Sequence, residues 1–317
     1  MMETILKSRG GGIVVALVSC VLWGSAYPVL KTSFEMLGVT AGETGARMAF
    51  AGMRFFLASL LILGGYHGIL KEKIRNRRQW LRRSLVLGLF QTSFLYYFFY
   101  NGLAVTSGMK SAILIASGSF FLVILAHFFQ SNDRISTGKV LGLLAGFAGI
   151  VAVNWGEQLT WEFTFSGEGF LILASLSAAV GDLLTRSYTE KLHPFELTGG
   201  QMLTGSLLLL WLGRADIGWI LAQMNLQLWG LFVYSAVLSA VAFSLWFSLL
   251  KHHRAGELAM YKFMMPVAGT LLSALILPGE SLSTTIWIGL GLVSTGIVIV
   301  NGEGRQIDRI EAAKALE

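Results

Sequence analysis

Three ionisable side chains lie deep inside apolar stretches of the chain: Arg54, Asp182 and Lys262. A charge at the centre of a lipid bilayer costs at least about 2.5–3.5 kcal/mol on insertion scales, so such residues commonly mark substrate sites or proton relays. They can also be structural, with Asp182 neutralising Arg54 or Lys262 between packed helices. Both interpretations stay open from the sequence alone, and both require polar surroundings for these side chains.

Lys262 is accompanied by residues that favour a binding site at a bend. Tyr261 precedes it, and Pro266 follows one helical turn later. A proline inside a helix removes one backbone hydrogen bond and leaves the carbonyl group one turn earlier, here that of Lys262, without its usual donor. The sequence therefore predicts a polar site around Tyr261 and Lys262, with Pro266 as a hinge for alternating access.

Aromatic and amide side chains supply further candidates for the lining of a cavity. Trp23 and Tyr27 lie four residues apart on one helix face, beside Pro28, which is the second candidate hinge. An aromatic-lined pocket suits an organic substrate, including a cation, although lipid-facing and interfacial packing would produce the same composition. The aromatic run 94–100 must place side chains on every face of a helix, so only some of them can line a cavity. The other predicted cavity residues are Gln91, Tyr97, Gln201 and Trp246.

The elements that position these side chains are predicted to be membrane-spanning helices. Hydrophobic residues make up 54% of the 317 residues and charged residues only 13%, whereas soluble domains carry about 25% charged residues. A helix that crosses the bilayer core needs about 20 mainly apolar residues. The sequence predicts an all-α membrane protein with ten spans, near 11–31, 45–66, 82–103, 108–129, 137–154, 167–187, 195–213, 226–250, 255–277 and 284–301.

The distribution of basic residues predicts the orientation of these spans. Cytoplasmic loops are enriched in Lys and Arg, and with the N-terminus inside, most of the 24 basic residues fall on the cytoplasmic side. The same distribution over several loops accounts for the net charge of +6 without a nucleic-acid partner. We therefore expect a multi-pass protein of the inner or plasma membrane with both termini in the cytoplasm. Only four basic residues are expected outside: Lys31, Arg47, Lys110 and Arg214.

The chain repeats itself once. The segment 138–154 resembles the segment 285–301, with Asn154 matched by Asn301, 147 residues later. Five spans per repeat is an odd number, so the two repeats would enter the membrane from opposite sides, which places a substrate site near the midplane between them. The predicted units are a cytoplasmic tail at 1–10, the first repeat at 11–154, the second repeat at 155–302, and a cytoplasmic tail at 303–317.

Several short motifs, in this order, resemble one transporter family. They are the segment 22–31 (LWGSAYPVLK), Arg54, the stretch from Ala255 to Pro266, and the segment 278–282 (PGESL). Together they are similar to EamA-type transporters of the drug/metabolite transporter superfamily. The resemblance implies a ten-helix inner-membrane protein that moves small metabolites, usually outward. Gly118 stands near the position where that family often has a fourth-helix proline, so the two repeats are not expected to be strictly symmetric.

The leading functional prediction is a secondary transporter for a small polar or amphipathic metabolite, with a small molecule and the lipid bilayer as partners. Two buried cations against one carboxylate favour zwitterions or anions, such as amino acids. Proton coupling is a hypothesis that the sequence leaves open, as is a homodimer through spans five and ten. In span five Gly142, Gly146 and Gly149 fall on one side, which favours close packing of helices. The sequence predicts no enzyme, cofactor or metal site, because it has no Gly-rich phosphate loop, clustered metal ligands or paired carboxylates. The alternatives are an integral-membrane enzyme acting on lipid-linked substrates and a membrane scaffold subunit.

Overall fold

The computed structural model describes residues 2–69, 71–74, 76–106, 108–153, 163–276 and 284–314. Within these ranges the regular elements are all helical. The boundary between the predicted repeats at 154/155, the matched residue Asn154 and the motif at 278–282 lie outside the described residues. Each of the ten apolar segments expected to span a membrane contains a helix where it is described.

Fourteen α-helices occur in the described ranges, and several are joined without a loop by short π-helical or 3-10 turns. In the first half they are α1 (Met2–Lys7), α2 (Arg9–Leu37), α3 (Thr44–Gly64), α4 (Arg77–Gly88), α5 (Leu95–Val105), α6 (Gly108–Phe129) and α7 (Thr137–Val153). In the second half they are α8 (Phe170–Tyr188), α9 (Pro194–Leu212), α10 (Ile217–Gln223), α11 (Leu226–His252), α12 (Ala255–Leu258), α13 (Met264–Ile276) and α14 (Thr284–Lys314).

The linking turns make several helices longer than their α-helical parts. A π-helical turn, Gly65–Ile69, extends α3, and another, Leu89–Phe94, joins α4 to α5. A third, Phe165–Gly169, precedes α8, and a 3-10 turn, Ala259–Phe263, joins α12 to α13. The π-helical and 3-10 turns are local departures from α-helical geometry and are frequent at functional sites.

Seven helical segments in the described ranges are long and apolar enough to cross a membrane. An eighth candidate is the pair α9 and α10, which meet at an angle of 96°. The helix α7 is apolar but shorter than the other candidates. The short helix α10 was not predicted from the sequence, where residues 217–223 belonged to the connection between two spans.

Local sequence explains where several helices begin and end. The Ser8 hydroxyl accepts a hydrogen bond from the Gly11 N–H at 3.1 Å and caps the start of α2. The Asn225 side chain caps α11 in the same way through the Leu228 N–H at 2.9 Å. Such caps satisfy backbone N–H groups that have no partner inside the helix. Gly38, with φ of 66°, ends α2 in the left-handed region, which glycine adopts without a steric cost.

The helices α7 and α14 pack closely through glycines. A Cβ added to Gly142 would lie 3.0 Å from the Gly296 carbonyl oxygen, and one added to Gly149 would lie 2.9 Å from that of Gly289. The third glycine of α7, Gly146, faces the Phe263 ring. This glycine face is covered within the chain, so α7 and α14 pack on one another through it, and a dimer contact on these two helices would need another surface.

The helices α3 and α9 form a second close pair, in the middle of the bundle. A Cβ added to Gly52 would lie 2.8 Å from the Leu210 side chain, and one added to Gly199 would lie 2.7 Å from the Leu63 side chain. Gly199 and Leu210 stand 147 residues after Gly52 and Leu63, so the two contacts join equivalent positions of the repeat. The two glycine contacts between α7 and α14 are equivalent in the same way. The packing of the helix pairs therefore follows the register of the repeat.

Candidate functional site

A cavity of about 160 Å³ lies between helices from both halves of the chain. Its walls come from α2, α3, α5, α6, α8, α11 and α13, together with the turns at Leu89–Phe94 and Ala259–Phe263. Drug-sized ligands usually occupy pockets of about 300–1,000 Å³, so this cavity suits a smaller molecule. Six of the residues singled out in the sequence line it: Trp23, Tyr27, Arg54, Gln91, Lys262 and Pro266.

Lys262 on the cavity wall forms an ion pair with Asp182, which lies behind it and does not itself line the cavity. Asp182 is fully buried on α8, and its Oδ2 contacts the ammonium group of Lys262, whose side chain is 14% exposed. The other carboxylate oxygen, Oδ1, accepts hydrogen bonds from Gln91 Nε2 at 3.0 Å and from Trp246 Nε1 at 3.3 Å. The Lys262 ammonium also lies 5.4 Å from the centre of the Trp246 ring. Of the two pairings left open by the sequence, the structure contains the one with Lys262.

Local features of the sequence bring these groups together. Lys262 lies in the 3-10 turn Ala259–Phe263, and Pro266 follows in the first turn of α13. Because proline cannot donate a backbone hydrogen bond, an irregular turn before it is expected. On α8, Gly181 leaves room for the Gln91 side chain, which would overlap with any Cβ at that position. A glycine next to Asp182 thus lets Gln91 reach the carboxylate.

Arg54 lies at a different part of the cavity wall and has different partners. It is 1% exposed. Its Nε donates to Ser239 Oγ at 3.0 Å, and one terminal nitrogen donates to the Tyr100 hydroxyl, also at 3.0 Å. The guanidinium carbon lies 4.6 Å from the centre of the Phe55 ring. Among the described residues no carboxylate pairs with Arg54, so its charge is held by neutral groups only.

Two polar atoms in the cavity lining are buried without a hydrogen-bond partner among the described residues. They are Trp23 Nε1, a donor, and Gln91 Oε1, an acceptor. A buried polar group without a partner costs about 1–3 kcal/mol. A ligand that offers both an acceptor and a donor would relieve this cost at both atoms.

Besides Asp182 and Trp246, three predicted cavity residues do not line this cavity. Tyr97 follows Tyr96 in a helix and is rotated by about 100° from it, so Tyr96 faces the cavity and Tyr97 packs beside Phe170, with ring centres 6.0 Å apart. Gln201 is buried on α9 and accepts a hydrogen bond from Thr92. Tyr261 accepts a hydrogen bond from Asn301 Nδ2 at 2.7 Å, beside a different cavity.

Two further predicted residues support the wall from behind or from the side. Trp246 is fully buried and reaches the site through its hydrogen bond to Asp182 and an edge contact with Trp23, at 5.4 Å between ring centres. Pro28 lies inside α2, which continues as one helix from Arg9 to Leu37. The helix at Pro28 is therefore unbroken, in contrast to the turn that precedes Pro266.

Sequence reasoning missed several residues of the site. Tyr96 and Phe99 were part of the aromatic run, but nothing in the sequence selected them from their neighbours. Tyr100, which holds Arg54, belonged to the same run, and its other partner, Ser239, was not singled out at all. A serine in the middle of the apolar stretch 226–250 was the available signal for Ser239.

The central helices carry two matching polar contacts. Arg54 bonds to Ser239 at 3.0 Å, and Thr92 bonds to Gln201 at 2.5 Å. Gln201 stands 147 residues after Arg54, and Ser239 stands 147 residues after Thr92. The two hydrogen bonds therefore occupy equivalent positions of the repeat.

The sequence matches the EamA-like transporter family twice, over residues 10–155 and 165–302. The chain belongs to this family. The predicted resemblance is thereby confirmed, and two copies of the EamA unit cover most of the chain. Family membership and the apolar helices make it a multi-pass membrane transporter and not an enzyme. The enzyme alternative is excluded on the same ground.

Relatives of this EamA protein are also transporters by name. An uncharacterized transporter of Archaeoglobus fulgidus is 26% identical over 291 residues, which cover 90% of this chain and 97% of the relative. An uncharacterized transporter of Synechocystis sp. is 28% identical over 299 residues, with 88% and 86% covered. A protein of Escherichia coli named "Probable amino-acid metabolite efflux pump" is 24% identical over 312 residues, with 92% and 95% covered.

A solved crystal structure shares the fold of this EamA protein. It superposes with a TM-score of 0.74 and covers 95% of this chain and 99% of its own. The sequence identity is 16%, so the likeness concerns the fold alone.

Proposed function

We propose that this EamA protein is a secondary active exporter of small metabolites, such as amino acids or other small polar or amphipathic molecules. It works by alternating access around the central cavity. The observation that carries this proposal is the ion pair between the buried Asp182 and Lys262, a lining residue of a cavity to which both halves of the chain contribute. The efflux-pump relative in Escherichia coli supports both the substrate class and the outward direction.

The proposed architecture is ten spans arranged as two inverted repeats, at 11–154 and 155–302. The family match at 10–155 and 165–302 supports this division. The contacts that exchange under the 147-residue shift support a two-fold axis between the repeats, because such an axis makes every contact between them occur twice. An odd number of spans in each repeat then gives the two repeats opposite directions. Both termini lie in the cytoplasm of a cell-membrane protein, by the distribution of basic residues.

The chemistry of the cavity favours a zwitterionic or anionic substrate. Arg54 and Lys262 are cationic and Asp182 is anionic, so the three groups together carry one net positive charge. Breaking a buried ion pair by removing one partner costs about 3–5 kcal/mol. A substrate that separates Asp182 from Lys262 must therefore replace the lost charges, as an ammonium group and a carboxylate on one molecule would do.

Two neutral groups can add specificity to this recognition. The unpaired Trp23 N–H can donate to a substrate carboxylate, and the unpaired Gln91 carbonyl oxygen can accept from a substrate ammonium group. Because polar groups left unpaired are costly, sites of this kind discriminate strongly against molecules that lack the matching group. Asp182 can also exchange a proton during the cycle, which would couple export to a proton gradient.

The turn Ala259–Phe263 is the proposed moving part, with Pro266 as its hinge and Pro28 as a second hinge on α2. Lys262 lies within this turn, so a change in the angle between α12 and α13 would move the ammonium group relative to Asp182. Hinges of transport proteins are commonly a few residues at the ends of elements, where the backbone angles can change.

Flux measurements on the purified protein in proteoliposomes test this proposal. Labelled amino acids are loaded with and without an imposed pH gradient, and wild type is compared with Asp182→Asn and Lys262→Met. We expect both variants to lose concentrative flux. Transport at wild-type rate and apparent KM by both variants would refute the assigned site.

The chain offers a matched control for the loss of a buried ion pair. Lys139 and Asp133 form a second buried pair, outside the central cavity. Lys139→Met should lower the unfolding temperature as Lys262→Met does, while flux per folded molecule stays near that of wild type. If Lys139→Met abolishes flux to the same extent, the effect of Lys262→Met is one of stability and not of substrate binding.

A further inference from the structure

The short helix α10 lies nearly at a right angle to the helix that precedes it. It meets α9 at an angle of 96°. The helix α9 has 19 residues. At about 1.5 Å per residue it is about 28 Å long, which matches the thickness of the hydrocarbon core of a bilayer. With 195–213 as one of the ten proposed spans, α10 therefore begins where α9 leaves the core, and it runs along the membrane surface.

One side of α10 is buried against the protein and the other is exposed. Ile220 is fully buried, and Ile217 packs against the same apolar cluster, which includes residues of α3 and α11. Away from this contact, Trp219 is 38% exposed and Leu221 is 46% exposed. The other exposed residues of α10 are Gly218, Ala222 and Gln223. Residues 217–229 carry no charge, so the exposed side has no charged group that favours contact with water.

Exposed apolar residues also flank α10 on the two helices that it joins. At the end of α9, Trp211 is 59% exposed, and at the start of α11, Leu226 and Trp229 are 90% and 43% exposed. Three of the nine tryptophans of the chain are thus exposed in this stretch. Tryptophan is enriched where membrane spans meet the aqueous phase. The exposed side of α10 therefore continues the apolar surface that the neighbouring spans present to lipid.

The equivalent connection of the first repeat has the opposite character. Positions 71–74 stand 147 residues before positions 218–221 and read Lys-Glu-Lys-Ile. They form no helix, and Glu72, the counterpart of Trp219, is exposed. Charged side chains are costly inside a bilayer, so this loop suits water. The two copies of one connection thus differ, and the copy in the second repeat has become an apolar helix.

We propose that α10 binds the surface of the lipid bilayer and lies in its interfacial layer, with Trp219 and Leu221 inserted among the lipids. Interfacial helices lie in the membrane plane, with their apolar side about 5–10 Å inside the boundary between headgroups and acyl chains. The buried Ile220 holds the other side of the helix on α3 and α11. Because α10 is uncharged, its binding depends on apolar contact and does not require anionic lipid.

Depth-dependent quenching of a fluorescent label tests the proposal on the full-length protein in phosphatidylcholine vesicles. A bimane label is attached at Trp219→Cys, and the matched control carries it at Glu72→Cys. Both variants also contain Cys20→Ala, which removes the buried native cysteine. The quenchers are aqueous iodide and lipids with a nitroxide on the acyl chain, either near the headgroup or near the methyl end.

We expect the shallow nitroxide to quench the label at position 219 several-fold more than the deep nitroxide does. Iodide should quench the label at position 72 several-fold more than the label at position 219. Leu221→Cys is the second labelling site if Trp219→Cys fails to fold, and the same pattern is expected there.

Three results would overturn the proposal. Equal quenching by iodide at positions 219 and 72 would place α10 in water. Stronger quenching by the deep nitroxide would place it inside the core, as part of a broken span. Protection from all quenchers would assign its exposed side to a second copy of the chain or to another protein. Each of these results leaves the proposed exporter activity of the central cavity standing, because α10 does not line that cavity.

Discussion

The two repeats of this transporter place the same contact at its centre but give it different chemistry. In one copy a charged donor, Arg54, bonds to Ser239, and in the other a neutral amide, Gln201, bonds to Thr92. Arg54 reaches the cavity, whereas Gln201 is buried outside it. The difference teaches that the repeat preserves packing positions, while charge is placed in one copy only.

Two walls of the cavity also occupy equivalent positions of the repeat and differ in charge. Ile115 and Ser119 on α6 stand 147 residues before Lys262 and Pro266, and all four residues line the cavity. The first pair lies on one continuous helix, Gly108–Phe129, and the second pair flanks the end of a 3-10 turn. The wall at α6 is therefore uncharged and regular, and the neighbouring wall at the 3-10 turn carries Lys262 and the bend.

The largest expected effect comes from giving the second repeat the residue of the first at the charged position. Lys262→Ile leaves Asp182 buried without its cation, which should destabilise the protein by about 3–5 kcal/mol and abolish concentrative flux. Unfolding temperature and proteoliposome flux measure the two effects.

A second substitution separates the effect on stability from the effect on flux. Adding Asp182→Asn removes the buried charge that has lost its cation and keeps an oxygen that can accept the hydrogen bonds of Gln91 and Trp246. We expect unfolding temperature to recover in the double variant and flux to stay absent. Recovery of flux along with stability would mean that the ion pair is structural only.

The next largest effect is on turnover and comes from the bend before Pro266. Pro266→Ser gives the second repeat the residue of the first, Ser119, and allows a backbone hydrogen bond that proline forbids. We expect turnover to fall several-fold, because the hinge becomes stiffer, while the unfolding temperature stays equal or rises. Unchanged turnover at saturating substrate would remove Pro266 from the mechanism.

The glycine contacts offer a test of the symmetry itself. A Cβ at Gly142 would overlap with Val300, and one at Gly289 would overlap with Val153, which is the equivalent contact. Overpacking of this kind typically costs about 1–3 kcal/mol. Gly142→Ala and Gly289→Ala should therefore lower the unfolding temperature by similar amounts. A large difference between them would show that the two halves are not equivalent here.

The smallest expected difference is the one between the two central hydrogen bonds. Ser239→Ala removes a partner of a charged group, and such bonds contribute about 1.5–3 kcal/mol, whereas Thr92→Val removes a neutral bond worth about 0.5–1.5 kcal/mol. We expect Ser239→Ala to be the more destabilising of the two in thermal unfolding. The reverse order would mean that Arg54 finds another partner when Ser239 is lost.

Much of the fold was predictable because the apolar segments are long and the repeat is visible in the glycines of the last span of each half. The partner of Asp182 was not, since choosing between Arg54 and Lys262 requires the rotation of three helices about their axes. The same limit explains why Tyr97 and Gln201 were predicted to line the cavity and do not. A span that is apolar all round has no polar face to show which side meets its neighbours. The sequence therefore does not show whether a single residue of such a span faces the cavity. The helix α10 was missed because seven residues are too few for a periodic pattern.

The contact between Arg54 and Ser239 has a consequence for how such a chain can change over time. If the two halves were separate, identical molecules, any new cation at this place would appear twice, once in each molecule, and the bundle would have to hold both charges. Fusion into one polypeptide lets each half mutate alone. Selectivity for a new cargo can then evolve on one side of the molecule while the other side keeps the bundle intact.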